Sequence, residues 1–494
     1  MSNFAEQKVI IYGAGMVGNL VRQYYEILGY EDNIVAFAVS DNVQEQTIYG
    51  YDLYCINDLI KYKDKCCVII ATFPEAQKDI EIRLRKLNFS NIIKINYEMY
   101  QKMCDCYISY FISKKKYKKA YDIIYMASDN NRTSGAFLCL IELVKDISRK
   151  GLNALVVLPE YGNGEQLLID EDIDYTYVIS KTWLSPCDNK KLNWNEMKQV
   201  DNDTAISELE IMIKEYGVKI IHCNTIYTYV GAVAAHNKNI AVIWHIREKV
   251  IEQGYTFRDE EQFYKLLNKS YNIITVSDYI KSCYPKLDEN KVITLYDGLD
   301  LEKYYCERNI FTNDITKIII PAALYSLKRQ EDLVKAAYLL RSKNYQFNVE
   351  IIGSGDEYID YIKELINEYC LNDCVNLLGR KENIEWYYKN ADIVVSCSGV
   401  EAFGRICVEG AAAGCLVIGA DSGGTRELIS DKKTGLLFHF GNYKSLAEAL
   451  EYVLNNKEKA VKIAKMGQIN SMKMFTKDTM SEQIFDIYKH ILCQ

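Results

Sequence analysis

Glu401 and Glu409 stand eight positions apart in EAFGRICVEG, residues 401–410, within a largely apolar stretch. An ionised carboxylate accepts two hydroxyls at once, so a pair of this kind suits the vicinal diol of a ribose or a sugar. Upstream, NADIVVSCSGV (390–400) reads as a buried strand running into a loop, and after the second glutamate small residues lead to Gly414 and a further strand, CLVIGA (415–420). That order puts Glu401 in the loop at the carboxyl end of a parallel strand, where open α/β sheets bind ligands, and Glu409 in the early turns of the following helix. The amides of Phe403, Gly404, Arg405 and Ile406 would open that helix, and amides at a helix N-terminus suit a diphosphate. DSGGTREL (421–428) repeats the device, with Gly423 and Gly424 leading into a second helix start that would face the same pocket. Taken alone, the two glutamates also fit a solvated loop acid and an acid favoured by the helix dipole.

A second constellation opens the chain. Gly13, Gly15 and Gly18 form G-x-G-x-x-G directly after the strand-like KVIIY and before a helical pattern, a spacing that lets a backbone turn tightly and approach a pyrophosphate. A second strand, IVAFAV (34–39), ends at Ser40-Asp41, where the carboxylate of Asp41 could hold ribose hydroxyls. A glycine turn kept for close backbone contact, or a site for a nucleotide other than a dinucleotide, fits the same residues.

These motifs need elements to hold them. Short Val- and Ile-rich runs alternate with longer helical patterns, which predicts parallel sheets covered by helices. Strand, loop and helix recur at 8–25, 121–147 and 317–340, each opening a doubly wound unit. The domains are therefore placed at 1–97, 121–306 and 310–475, with a helical linker at 98–120 and a last helix in 476–494 that crosses back to the middle unit. The linker carries five lysines in 114–119, which suit a solvated surface or contact with an anionic membrane face.

The bulk numbers narrow the classes. A chain of 494 residues with 49% apolar and 26% charged residues has the usage of a soluble globular protein. A net charge of -8 gives no general attraction to phosphate backbones, which argues against nucleic acid as a partner. Sixteen cysteines sit scattered in apolar runs without a C-x-x-C pair, and the five histidines do not cluster, so buried thiols in a reducing cytoplasm are expected and a metal site is not. The N-terminus has no basic region or cleavage site of a signal peptide, and no apolar run reaches membrane-spanning length. Asp170-Glu171-Asp172 imitates a metal-binding D-x-D, but in a polar loop. Tyr110-x-x-x-Lys114 imitates an oxidoreductase pair, which forty tyrosines produce by chance.

In order and spacing, the stretch from about 121 to 475 resembles the retaining glycosyltransferases of family 4, whose two Rossmann-like domains face a cleft in the GT-B fold. The motifs that carry the resemblance are E-x7-E at Glu401 and Glu409, the helix EGAAAG, the GG-x-x-E turn ending at Glu427, KRQEDLVKAA (328–337), WHIRE (244–248), ITVSDYIK (274–281) and LYDGLD (295–300). The first 95 or so residues resemble the nucleotide-sugar-binding domain that precedes bacterial sugar O-acetyltransferases. The resemblance implies an α/β chain of GT-B architecture with an extra N-terminal Rossmann-like domain. It also implies transfer of a sugar from a nucleoside-diphosphate donor to a hydroxyl of a glycan or lipid-linked acceptor, in capsule, exopolysaccharide or lipid-linked glycan synthesis, without a metal or other cofactor. Such an enzyme would be cytoplasmic, or peripheral at the inner membrane face.

By the same resemblance, Glu409 holds the ribose, Glu401 the donor sugar, Lys328 the diphosphate, and His245 faces the sugar. Ser134 and Gly135 take the place of a Gly-Gly loop bordering the diphosphate and acceptor. Besides that serine, two further positions depart from the family pattern: Ala323 stands where an arginine is common, with Arg329 or Arg405 as its substitutes, and Asp297 where asparagine is usual. Two other classes stay open: an NAD(P)-dependent nucleotide-sugar epimerase or oxidoreductase run from the first glycine loop, and a catalytically silent nucleotide-sugar-binding protein.

Overall fold

The computed structural model describes residues 6–40, 46–187, 192–355 and 357–493. Three sheets follow one another along the chain. The first has the order Thr47–Ile48, Tyr51–Cys55, Ile34–Val39, Val9–Tyr12, Cys67–Ile70 and Ile92–Lys94, parallel except for its short first pair. The runs VIIY and CVII are buried throughout, as expected of strands covered on both faces. Gly13 has φ +125°, and a Cβ there would lie 2.6 Å from the Ala71 carbonyl oxygen; one on Gly18 would lie 2.0 Å from the Gly13 oxygen. Backbone contact thus accounts for these two glycines, whereas a Cβ on Gly15 would meet nothing within 4 Å.

The second sheet is parallel throughout, in the order Val292–Thr294, Asn272–Thr275, Ala241–Ile246, Ile220–Cys223, Ile123–Met126, Ala154–Leu158 and Tyr175–Tyr177. The third, also parallel, runs Val375–Gly379, Phe347–Ile352, Thr316–Pro321, Ile393–Ser396, Leu416–Ala420 and Leu436–Phe438. In each of these two sheets the order reverses beside the first strand, leaving a crevice at the strands' carboxyl ends.

The first sheet does not stand free. Helix Tyr97–Lys114 buries Tyr100, Met103, Cys104 and Ile108 in a core shared with the second sheet. Trp194 meets Phe73 edge-on at 5.2 Å and Tyr100 at 5.0 Å. Tyr107 donates to Glu165 and Tyr161 donates to Gln23, each at 2.7 Å. Beyond the helix, Lys118 pairs with Asp174 at 3.2 Å and Lys115 lies over the Tyr175 ring. No described helix is long and apolar enough to cross a membrane.

The second and third units meet at the chain crossing and again away from it. At the chain crossing, the Leu299 amide donates to the Phe475 oxygen at 2.9 Å and the Lys477 amide to the Leu299 oxygen at 3.0 Å. A Cβ on Gly298 would lie 2.7 Å from the Lys477 Cα, so the two segments touch backbone to backbone. Helix Lys477–Leu492 then returns to the second unit, burying Met480, Ile484 and Tyr488, whose hydroxyl meets His222 Nδ1 at 2.6 Å. Away from the crossing, the Ser277 hydroxyl donates to the Ala402 oxygen at 2.5 Å. Glu427 accepts from the amides of Asp278 and Tyr279 at 2.9 and 2.6 Å and from the Tyr296 hydroxyl at 3.3 Å.

Glu427 thus caps a helix of the opposite unit. Charge-assisted bonds of this kind are worth about 1.5–3 kcal/mol. Glu427→Ala should let the units swing apart, raising the radius of gyration in X-ray scattering of the ligand-free protein. A scattering curve that overlays the parent's would refute the latch.

Candidate active site

Between the carboxyl ends of the second and third sheets lies a cavity of about 1200 Å³. On the third-sheet side, the loop after Thr316–Pro321 contributes Ala323 and Lys328, and the loop after Ile393–Ser396 contributes Glu401. Phe403, Gly404, Arg405, Ile406 and Glu409 line the cavity beside them. Gly404 caps helix Arg405–Ala412 at φ +105°, a left-handed conformation that favours glycine, and this turn aims the helix N-terminus into the space.

Lys328 Nζ forms an ion pair with Glu401 Oε1. Burial works against the lysine's charge, yet Glu401 and Tyr325 beside it hold its pKa above the ordinary value. Glu409 is 7% exposed; the Tyr388 hydroxyl donates to its Oε2 at 2.8 Å and Arg405 Nη2 to its Oε1 at 3.5 Å. The Tyr304 ring stands edge-on to Tyr388 at 5.3 Å. Motif spacing missed both tyrosines; their signal was the apolar spacing that buries them next to an acid.

Gly423 and Gly424 do not line the cavity. A Cβ on Gly423 would lie 2.7 Å from the Glu401 oxygen and one on Gly424 2.4 Å from the Ala402 oxygen, while the Gly424 amide donates to the Glu401 oxygen at 2.7 Å. The expected second helix N-terminus is instead the support behind the loop that presents Glu401, and its helix spans only Thr425–Leu428.

On the second-sheet side, Ser134 caps helix Gly135–Arg149 and donates to Asp129 Oδ2 at 3.0 Å; Ser134, Gly135 and Asp129 all line the cavity. Arg405 spans the cleft, Nη1 donating to the Gly135 oxygen at 3.4 Å. His245, expected to face the sugar, does not reach the cavity surface. It is wholly buried, on the face of its strand opposite Trp244, and its Nδ1 accepts from Arg247 Nη2 at 3.1 Å. Burial first, then the charge of Arg247 and the neighbouring His222, holds its pKa well below the ordinary histidine value. Arg247, two residues on, lines the cavity; its Nε donates to Asn224 at 3.2 Å and its Nη1 pairs with Asp297. Asp297 is therefore the counter-charge of a buried guanidinium. Glu248 accepts from the amides of Ile226 and Arg247, and burial pushes its pKa up to about 7.

Of the two arginines proposed to replace the one missing at Ala323, Arg405 lines the cavity, whereas Arg329 is taken up by Asp332 at 2.7 Å. Asp170 accepts from Gln166 and Glu171 pairs with Lys145, so two of the three acids are engaged, and none of the three lines the cavity. Lys114 lies over the Tyr110 ring, far in sequence from the glycine loop and off the cavity lining. Gly13, Gly15 and Gly18 are not on the lining, though Met16 beside them is. Asp41 lies outside the described residues.

Residues 307–469 match the family described as glycosyl transferases group 1. An uncharacterized glycosyltransferase of Methanocaldococcus jannaschii is 28% identical over 270 residues, 53% of this chain and 73% of the relative. Anabaena HepE, solved with UDP, superposes with a TM-score of 0.64 at 20% identity, over 75% of this chain and 100% of HepE; the same protein solved with UDP-glucose gives 0.62 at 21% identity, over 74% and 99%. A glycosyltransferase of Rickettsia africae superposes with a TM-score of 0.64 at 22% identity, over 76% of this chain and 99% of its own. With that fold around the cavity and a glycosyl transferases group 1 match over the unit that carries Lys328, Glu401 and Glu409, this chain is a glycosyltransferase of GT-B architecture with an extra Rossmann-like sheet at its N-terminus.

Proposed function

We propose that the chain is a retaining enzyme of family 4 that moves a sugar from a nucleoside-diphosphate donor to a hydroxyl of a glycan or lipid-linked acceptor. The observation that carries the proposal is the meeting, in one cavity, of a helix N-terminus, the Lys328–Glu401 pair and Glu409 opposite the Ser134–Gly135 loop. The amides of Phe403 to Ile406 and the ammonium of Lys328 take the diphosphate, where a fixed cation and oriented dipoles meet the charge that grows as the anomeric C–O bond breaks. Glu401, next to that ammonium, takes sugar hydroxyls, and Glu409, held by Tyr388, takes the ribose diol. Retention requires the acceptor oxygen to reach the anomeric carbon from the side the phosphate leaves, so the acceptor enters over the second sheet. The acceptor's proton departs with the diphosphate. His245 acts from behind, as the group that orients Arg247. Lys328, Arg405 and the amides supply the positive charge in this scheme, so it calls for no metal or other cofactor.

Glu409→Gln keeps an acceptor for Tyr388 but removes a charge-assisted grip on the diol. UDP affinity in calorimetry should fall about tenfold or more with the melting temperature little changed; an unchanged affinity would refute the ribose role. Lys328→Ala removes an interaction that strengthens toward the transition state, so kcat should fall by about a hundredfold while donor KM moves far less. The reverse split would show that Lys328 only binds.

A further inference from the structure

The cavity is larger than one donor needs. Its roughly 1200 Å³ exceeds the roughly 300–1,000 Å³ of a pocket for one drug-sized ligand. From Ser134 its lining runs past Pro159 and Glu160 to Met16 and Phe73 of the first unit. Met16 opens the helix after Val9–Tyr12, and Phe73 caps helix Pro74–Lys86 after Cys67–Ile70. Those two strands are neighbours where the order of the first sheet reverses, which is where an open α/β sheet takes its ligand. The crevice of the first sheet and the cleft of the other two are therefore one space.

The chemistry of that end differs from the donor half. Phe73 keeps 37% of its surface exposed, while Trp194 and Tyr100 hold its ring from behind. A half-exposed aromatic ring held this way is an apolar plate, and Met16 lies on the same lining. Lys198, 7% exposed, stands on the same lining; its Nζ donates to the Pro159 oxygen at 2.9 Å and to Glu160 Oε2 at 3.1 Å, leaving a third donor for a ligand. An apolar plate with donors and acceptors on the same wall fits a pyranose, which has C–H faces and a hydroxyl rim.

We propose that the first unit completes the acceptor subsite of this enzyme: Phe73 and Met16, at the carboxyl ends of its strands, carry the apolar face of a neutral acceptor sugar, and Lys198 and Glu160 of the second unit hold its hydroxyls. The proposal rests on the donor site assigned above and adds the acceptor's class and the wall that binds it.

Transfer from UDP-glucose to a panel of 4-nitrophenyl pyranosides tests it. Phe73→Ala should raise acceptor KM about tenfold, the worth of a lost ring contact. Donor KM and donor hydrolysis by water should stay within about twofold. Phe73→Trp should restore acceptor KM, and Met16→Ser should raise it by less than Phe73→Ala. An acceptor KM unmoved by Phe73→Ala, or a kcat loss without a KM change, overturns the subsite. Should the parent turn over no donor, the donor assignment fails, and saturation-transfer NMR of the same pyranosides reads the subsite directly. Weaker signals in Phe73→Ala would then support it, and equal signals would overturn it.

Discussion

An arginine taken out of water has to have its donors met, and the floor of the cavity is built around one that does. The guanidinium of Arg247 is bonded to Asn224 at the end of one strand, to His245 on the next, and to Asp297 beyond the last strand of the second sheet. Its own amide, with that of Ile226, is held by Glu248. Three strand ends are tied to one buried charge, and losing any partner would leave that charge partly bare, the costly case for a buried ion pair. His245 serves this network as a neutral acceptor, because a guanidinium can only donate.

The same rule of pairing recurs at three other cations on the cavity lining. Arg247 has Asp297, Lys328 has Glu401, Arg405 has Glu409 and Lys198 has Glu160. Without ligand, then, no one of these cations stands naked. In the proposed scheme an incoming diphosphate competes with a carboxylate for Lys328, and the freed carboxylate is left beside the sugar it is assigned to hold. In that scheme the first attraction comes from the helix amides, which a helix N-terminus leaves without partners inside the helix.

Much of this was legible in the residues. Apolar runs followed by a loop and a helical pattern marked the starts of all three sheets, and in the first of them the turn is held by Gly13 and Gly18. The spacing of Glu401 and Glu409 marked a strand end and a helix start. What could not be read was direction. His245 lies in the expected register, but its side chain points to the face of the sheet that the helix returning from the far end of the chain covers, where His222 and Tyr488 stand beside it. Gly423 and Gly424 look like a second phosphate loop by type; only the nearness of the Glu401 and Ala402 carbonyls turns them into a support. The helix at 97–114 has the composition of a connector, and its burial depends on Trp194, almost a hundred residues away.

The double crossing at Leu299 and Phe475 bears on how the two catalytic halves move. A single tether would let one half slide, twist or tilt against the other. Two segments hydrogen-bonded side by side, with Gly298 in backbone contact, remove sliding and leave rotation about an axis through the crossing. Each swing then carries Lys328 and Glu401 along one arc relative to Ser134, so the geometry at the reacting bond is set by a single angle, and a change at the crossing alters that angle without touching any group that meets the substrate.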